Sequence, residues 1–143
     1  MPADAIVEVK AVGKVYETGV EALARVDLAL PQGKLSTLLG PSGCGKTTLL
    51  KIIAGLIPPS GGEVWVKGKK VDGPGAERAF VFQDFALLPW ANVLRNVAFG
   101  LELRGLAKEE RDAIARKHIA EVGLERFENS YPHQLSGGMR QRV

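Results

Sequence analysis

The sequence predicts an α/β fold that has a glycine-rich loop in its core, an antiparallel β layer and a helical insertion. Three observations lead to this prediction. Short apolar or alternating segments fill most of residues 1–82, a glycine-rich loop followed by a helical pattern interrupts them, and three further helical patterns follow Gln83. Strands around one helix, followed by a run of helices, are typical of an α/β core with an added helical part.

The strand predictions depend on apolar residues that alternate with polar ones or run together. Residues 6–12 are rich in valine and isoleucine, and residues 26–30 alternate between apolar and other side chains. Residues 63–67 place two valines on one face. The mostly apolar segments 35–39 and 79–82 predict short strands that are buried on both faces.

Four segments have the periodicity of helices. The first runs from about residue 45 to 54, and Gly55 is placed to end it. A second begins after Asn92, a good N-cap residue, and a third covers about residues 108–122. Ser136 can cap the start of the fourth.

Composition limits the possible classes of protein. The 143 residues are 45 % hydrophobic and 24 % charged, as in an average globular domain. The net charge of +3 comes from interspersed charges of both signs, so nothing in it indicates a nucleic-acid partner. The single cysteine, Cys44, excludes an internal disulfide. Without a signal-peptide pattern or a span of about 18 apolar residues, the chain is expected in the cytoplasm.

The segment GPSGCGKTT, residues 40–48, has the spacing of a phosphate-binding loop, G-x-x-x-x-G-K-[ST]. Glycines let backbone amides approach a polyphosphate, and the following helix directs its positive end to the same place. Lys46 supplies charge for the β- and γ-phosphates, and the hydroxyl of Thr47 is a ligand for Mg²⁺. A glycine turn with a chance lysine is the alternative, but the apolar segment before the loop and the helix after it favour a nucleotide site.

A second segment, LSGGMRQR, places a serine and two glycines at the start of a helix. The hydroxyl of Ser136 and the amides of Gly137 and Gly138 are donors that an anion can use. An ordinary helix cap explains the same residues, although Met139 stands where a capping box has Glu or Gln. The local pattern leaves both interpretations open.

In combination these segments resemble the nucleotide-binding subunit of ATP-binding cassette (ABC) transporters. GPSGCGKTTLL resembles the Walker A motif of that family, LSGGMRQRV its signature motif, and VFQDFALLPW its glutamine loop. The resemblance covers essentially the whole chain. It implies a P-loop core with a β layer over residues 1–86 and a helical subdomain over residues 87–143 that ends in the signature.

The resemblance also assigns roles to single residues. It implies that Tyr16 stacks on adenine, that Lys46 and Gln83 are catalytic, and that Thr47 and Gln83 hold Mg²⁺. Gln83 also senses the membrane partner. The implied phosphate cradle consists of Gly40, Ser42, Gly43, Cys44, Gly45, Lys46, Thr47 and Thr48. Ser136, Gly137 and Gly138 would contact ATP held by the opposite subunit, which implies a head-to-tail homodimer around two ATP molecules.

Further segments resemble importers of nitrate, sulfonate and taurine. These are GPGAER, residues 73–78, and LLPW with the helix after it. This likeness implies uptake of a small anionic solute, membrane permease subunits, a periplasmic solute-binding protein, and a peripheral location at the cytoplasmic face of the inner membrane. The apolar region Phe85–Trp90 is expected to contact the permease, chiefly through Leu87, Leu88 and Trp90.

One part of the family pattern does not occur in these 143 residues. The Walker B strand, with its aspartate and catalytic glutamate, follows the signature in the family and is expected beyond Val143. Asp84 ends an apolar segment but precedes Phe85 and not an acid, so we reject it as Walker B. The chain is therefore expected to be truncated before Walker B and inactive alone, with ATPase activity in a longer protein. The alternatives are a nucleotide-binding fragment without hydrolysis and a non-transport ABC ATPase.

Overall fold

The computed structural model describes residues 5–143, which divide into two compact units between Val81 and Phe82. The division falls a few residues before the boundary predicted at residues 86 and 87. The first unit carries the sheet and the helix after the phosphate loop, and the second carries the remaining helices.

The first unit contains a four-stranded antiparallel sheet in the order β2-β1-β3-β4. This confirms the predicted antiparallel layer, although the first two strands are longer than predicted and the fourth was not predicted. The strands are β1 Ala5–Val15, β2 Glu21–Pro31, β3 Gly61–Val66 and β4 Lys69–Lys70.

A bulge bends β1 in the middle of its length. The register with β2 shifts between Val9 and Val12, and Ala11 adopts a φ of 49° there. The side chain of Asp27 stabilises this conformation, because its Oδ1 accepts a 2.8 Å hydrogen bond from the amide of Ala11. On the neighbouring strand, a Cβ at Gly62 would overlap the carbonyl oxygen of Ala11, so this position requires glycine.

Helix α1, Lys46–Ile53, packs on the sheet through one apolar face. Its Leu49 and Ile52 are buried and join valines of β1 and β3. The buried core of the unit consists of Val9, Val12, Leu23, Leu49, Ile52, Val64 and Val66. The amphipathic helix predicted after the loop is therefore confirmed.

The two predicted buried strands, 35–39 and 79–82, do not form in the described part of the chain. Leu35 and Leu39 are 96 % and 89 % exposed, and Val81 is 94 % exposed. A strand that is apolar on both faces needs hydrogen-bonding neighbours and a cover on each side. No strand within residues 5–143 pairs with either segment, so these two predictions are wrong for this chain.

The second unit contains three helices and two single 3₁₀ turns. The helices are α2 Val93–Leu103, α3 Lys108–Glu121 and α4 Gly137–Arg142, and the 3₁₀ turns are Glu125–Phe127 and Pro132–Gln134. Asn92 caps α2 as predicted, because its Oδ1 accepts a 2.9 Å hydrogen bond from the amide of Arg95. Val93, Ile119, Leu124 and Leu135 form the buried core. Within residues 5–143, every helix is too short or too polar to cross a membrane.

Candidate functional site

The phosphate loop has the backbone that its glycines permit. Gly43 and Gly45 have φ values of 83° and 92°, a region that side chains with a Cβ rarely adopt. Gly45 is also the N-cap of α1, and within the described residues no side chain caps this helix start. The first amides of α1 are therefore available to an anion at the mouth of the loop.

Gly45 also fixes where the loop lies on the sheet. A Cβ at this position would come within 2.5 Å of the carbonyl oxygen of Ala22 and 2.7 Å of Leu23 Cδ2. Both residues belong to β2, so the end of the loop rests directly on that strand. Any larger residue at position 45 would push the start of α1 away from the sheet.

Lys46 is folded back onto its own loop. Its Nζ donates hydrogen bonds to the carbonyl oxygens of Gly40 at 2.8 Å and Pro41 at 2.7 Å, and it lies 3.5 Å from the sulfur of Cys44. No carboxylate within the described chain forms an ion pair with Lys46. A phosphate oxygen would therefore offer this ammonium group a stronger, charge-assisted partner than the two carbonyls.

A shallow cavity of about 170 Å³ lies over the start of α1. It is lined by Ala22, Gly43, Gly45, Lys46, Thr47 and Thr48. Two hydroxyls, two glycines and an ammonium group fit the oxygens of a phosphate chain, and the hydroxyl of Thr47 fits one Mg²⁺ ligand. A larger cavity of about 400 Å³ lies beyond the other end of α1, between Ile57 and Val71, and contains none of the predicted site residues.

Tyr16 lies beside the smaller cavity, over the start of α1, although it precedes Thr48 by 32 residues in the sequence. It follows β1 directly, and its hydroxyl is 3.3 Å from Oγ1 of Thr48. Lys14 Nζ lies 5.5 Å from the centre of its ring. The structure therefore brings together the predicted base-stacking residue and the predicted phosphate cradle within one unit.

Four predicted site residues, Gln83, Ser136, Gly137 and Gly138, lie in the second unit. Gln83 is exposed in a segment without regular secondary structure. Ser136 caps α4, since its Oγ accepts a 3.3 Å hydrogen bond from the amide of Met139. Gly137 and Gly138 are exposed in the first turn. Ser136 therefore acts as the helix cap that the sequence left as one of two interpretations, and the two glycines remain accessible to a partner.

Sequence reasoning missed one residue that shapes the apolar region Phe85–Trp90. Asn96 lies on α2 and makes hydrogen bonds from both ends of its amide. Its Oδ1 accepts from the amide of Leu88 at 2.7 Å, and its Nδ2 donates to the carbonyls of Leu88, Ala91 and Asn92 at 3.2, 2.9 and 3.0 Å. These hydrogen bonds make Asn96 a clamp that holds the turn carrying Trp90. The Trp90 residue is 69 % exposed. The sequence held one signal of this role, because Asn96 is a polar residue within the apolar stripe of α2.

No cluster of three His, Cys, Asp or Glu side chains that could bind a metal occurs within residues 5–143. The loop instead places the Thr47 hydroxyl beside the Lys46 ammonium group. This donor set is typical of a metal that binds together with nucleotide phosphates.

A family model described as ABC transporter matches residues 23–143. The chain belongs to the ABC transporter family. The family implies nucleotide binding, which agrees with the loop, the lysine and the cavity described above.

Relatives of this ABC chain include importer subunits. It is 56 % identical over 133 residues to an uncharacterized ABC transporter ATP-binding protein of Methanocaldococcus jannaschii, covering 91 % of the chain and 50 % of that protein. It is 54 % identical over 125 residues to the taurine import ATP-binding protein TauB of Escherichia coli (strain K12), covering 87 % and 49 %. The chain spans about half the length of the curated relatives it matches.

Solved ABC cassettes have a similar fold. The cassette MJ0796, a dimer in a post-hydrolysis state bound to ADP and Pi, matches with a TM-score of 0.84 and 36 % identity. The match covers 95 % of this chain and 66 % of that one. This likeness confirms the predicted fold class, an α/β nucleotide-binding core with an antiparallel layer and helices.

Proposed function

We propose that this chain is the ATP-binding part of an ABC importer subunit, which couples ATP binding and hydrolysis to uptake of a small anionic solute. The observation that carries the proposal is the phosphate loop, where the partners of Lys46 among residues 5–143 are carbonyl oxygens and a sulfur. This lysine lies at the mouth of a cavity lined by glycines and hydroxyls. The similarity to a taurine import protein supports the importer assignment.

In this proposal the first unit binds Mg²⁺-ATP. Lys46 moves from the loop carbonyls to the β- and γ-phosphates, and the amides from Gly43 to Thr48 surround the phosphate chain. Thr47 supplies its hydroxyl to Mg²⁺. Tyr16 stacks on the adenine, since its ring lies beside Thr48 and is partly exposed.

The signature residues act on a second copy of the chain. Gly137 and Gly138 are exposed, and α4 presents them next to the Ser136 cap. The related cassette bound to ADP and Pi is a dimer, which supports a head-to-tail arrangement around two ATP molecules. Gln83 would take part in hydrolysis and respond to the membrane partner.

The apolar region Phe85–Trp90 is the proposed contact for the membrane permease. Trp90 is 69 % exposed in a turn held by Asn96, so a large apolar side chain is presented to a partner at low entropic cost. Binding there would place the protein peripherally at the cytoplasmic face of the membrane, and a periplasmic solute-binding protein would act indirectly through the permease.

The nucleotide site is tested by titrating the chain with a fluorescent ATP analogue and Mg²⁺. We expect Lys46→Gln to weaken binding about 10- to 100-fold, because a charge-assisted hydrogen bond is worth about 1.5–3 kcal/mol. Lys34→Gln is the matched control, since it removes the same charge from an exposed turn of the same unit. Equal affinities of the Lys46 variant and the unmodified chain would refute the assignment.

A second candidate function is nucleotide binding without hydrolysis. The cavity over α1 has no acidic residue in its lining, so nothing there can activate a water molecule as a general base. Turnover by the 143-residue chain should therefore be compared with that of the protein expressed from its complete gene. Hydrolysis by the complete protein alone supports the importer ATPase, whereas binding without hydrolysis by both favours the second candidate.

A further inference from the structure

A ring–cation contact joins the glutamine loop to the signature helix inside the second unit. The guanidinium carbon of Arg140 lies 4.8 Å from the centre of the Phe85 ring. The ring also reaches the first turn of α4, since a Cβ at Gly137 would be 4.0 Å from Phe85 Cζ. Phe85 therefore contacts α4 at Arg140, its fourth residue, and lies close to Gly137 at its start.

The ring is the main partner of the Arg140 charge. No carboxylate in the described part of the chain forms an ion pair with Arg140, and its buried Nε lacks a hydrogen-bond partner there. A guanidinium group that is partly withdrawn from water gains from the negative face of an aromatic ring. Loss of the ring would leave this charge without compensation and free the side chain to move into solvent.

The helix that carries the signature needs such anchors. With six residues α4 is too short to be stable by its own hydrogen bonds. One anchor is Arg142, whose Nη1 donates a 2.7 Å hydrogen bond to the carbonyl of Val122 at the end of α3. Met139 and Val143 pack against the core of the unit. Arg142 also donates from Nε to the carbonyl of Gly138 at 3.4 Å, and the Phe85 ring lies next to Gly137.

We propose that Phe85 and Arg140 are a positioning pair, which holds Ser136–Gly138 in the orientation that binds the ATP of a second subunit. The inference rests on the proposed ATP-sandwich dimer. Phe85 touches no nucleotide itself and acts through α4. Its loss should therefore weaken ATP-driven dimerisation while leaving ATP binding by each single subunit unchanged, because the phosphate loop lies in the other unit.

The test uses the protein expressed from its complete gene, with Mg²⁺-ATP as the ligand. Dimerisation is measured by analytical ultracentrifugation, and ATP affinity of the dilute monomer by a fluorescent analogue. We expect Phe85→Leu to raise the dimer dissociation constant about 4- to 25-fold, since each contact is worth a factor of about two to five and the dimer contains two. Arg140→Gln should have the same effect, and Phe85→Tyr, which keeps the ring, should restore dimerisation.

Matched controls are available within the same unit. Phe99 is 39 % exposed, as Phe85 is, yet has no ring contact among residues 5–143, so Phe99→Leu should dimerise normally. The dimer dissociation constant of the double variant of Phe85 and Arg140 should exceed that of either single variant by no more than about twofold, because the two substitutions remove the same contact.

Three results would overturn the inference. The first is normal dimerisation of the Phe85→Leu protein. The second is a loss of ATP affinity in the monomer as large as the loss of dimerisation, which would indicate general unfolding. The third is additive effects of the two substitutions. Failure of the unmodified protein to dimerise with ATP would instead refute the proposed sandwich, and the inference with it.

Discussion

Replacing Asn96 should loosen the turn that presents Trp90. In Asn96→Ala, the amide of Leu88 loses its 2.7 Å partner, and the carbonyl of Ala91 loses a 2.9 Å donor. The side chain is part-buried, so water replaces these partners incompletely. The backbone bond from Ala91 to the carbonyl of Leu88, at 3.1 Å, remains and is too little to fix the turn alone.

The magnitude follows from the hydrogen bonds lost. Each net bond is worth about 0.5–1.5 kcal/mol, and part-buried groups left unpaired cost more. The bond to the Asn92 carbonyl is local to the helix and adds little. We therefore expect Asn96→Ala to lower the stability of the second unit by about 2–3 kcal/mol, which is on the order of 10 °C in melting temperature for a unit of this size. Asn129→Ala, at an exposed site without a side-chain hydrogen bond among residues 5–143, should change stability by less than about 0.5 kcal/mol.

Two assays separate loosening of the turn from general loss of structure. Thermal unfolding gives the stability change, and acrylamide quenching of Trp90, in a background where Trp65 is replaced by Phe, gives the mobility of the turn. Asn96→Asp should be at least as damaging at pH 7, because it keeps the acceptor but sets a negative charge against carbonyl oxygens. Unchanged melting and quenching in the alanine variant would refute the clamp.

Three further predictions concern the first unit. Gly45→Ala should destabilise the first unit by about 1–3 kcal/mol more than Gly43→Ala does. Both glycines have a positive φ, but only at Gly45 would a Cβ clash with neighbouring atoms. Equal losses of stability would show that backbone strain alone matters. Alkylation of Cys44 should block ATP binding and ATP should protect the thiol, since its sulfur lies 3.5 Å from the loop lysine; full binding by alkylated protein would contradict this. The amide of Ala11 holds the pKa of Asp27 below its usual value. The ionised carboxylate therefore stabilises the fold above about pH 4 and ceases to do so as the pH falls through the lowered pKa. Asp27→Asn should make the melting temperature fall less steeply as the pH is lowered below about 4. An unchanged dependence on pH would argue against this role.

The phosphate loop could be predicted because its shape is local. The left-handed glycines, the lysine and the start of α1 lie within a few consecutive residues, so their spacing nearly determines their geometry. The helix caps Asn92 and Ser136 were predictable for the same reason. The position of Tyr16 beside Thr48 depends on the path of β1 across the sheet, and only the family resemblance anticipated it.

Interactions between distant residues explain what the sequence did not predict. Asn96 is a polar residue within an apolar helical stripe, but its hydrogen-bond partners can be identified only once residues 88–91 turn back over α2. The contact of Phe85 with Arg140 likewise joins positions 55 apart in sequence. Periodicity reports which face of a helix is apolar and gives no information about which loop lies against it.

The exposed segment 35–39 bears directly on how this chain should bind ATP. It leads into the phosphate loop, yet Leu35 and Leu39 are almost fully exposed and no strand within residues 5–143 pairs with it. The loop is therefore held firmly at its downstream end, where Gly45 rests on β2, and weakly at its upstream end. Each upstream residue that nucleotide binding orders would cost about 1–2 kcal/mol. If a strand paired with residues 35–39, folding would already order this segment and bury its leucines, and nucleotide binding would not have to. The affinity of the 143-residue chain is consequently a lower limit for any form in which this segment is paired.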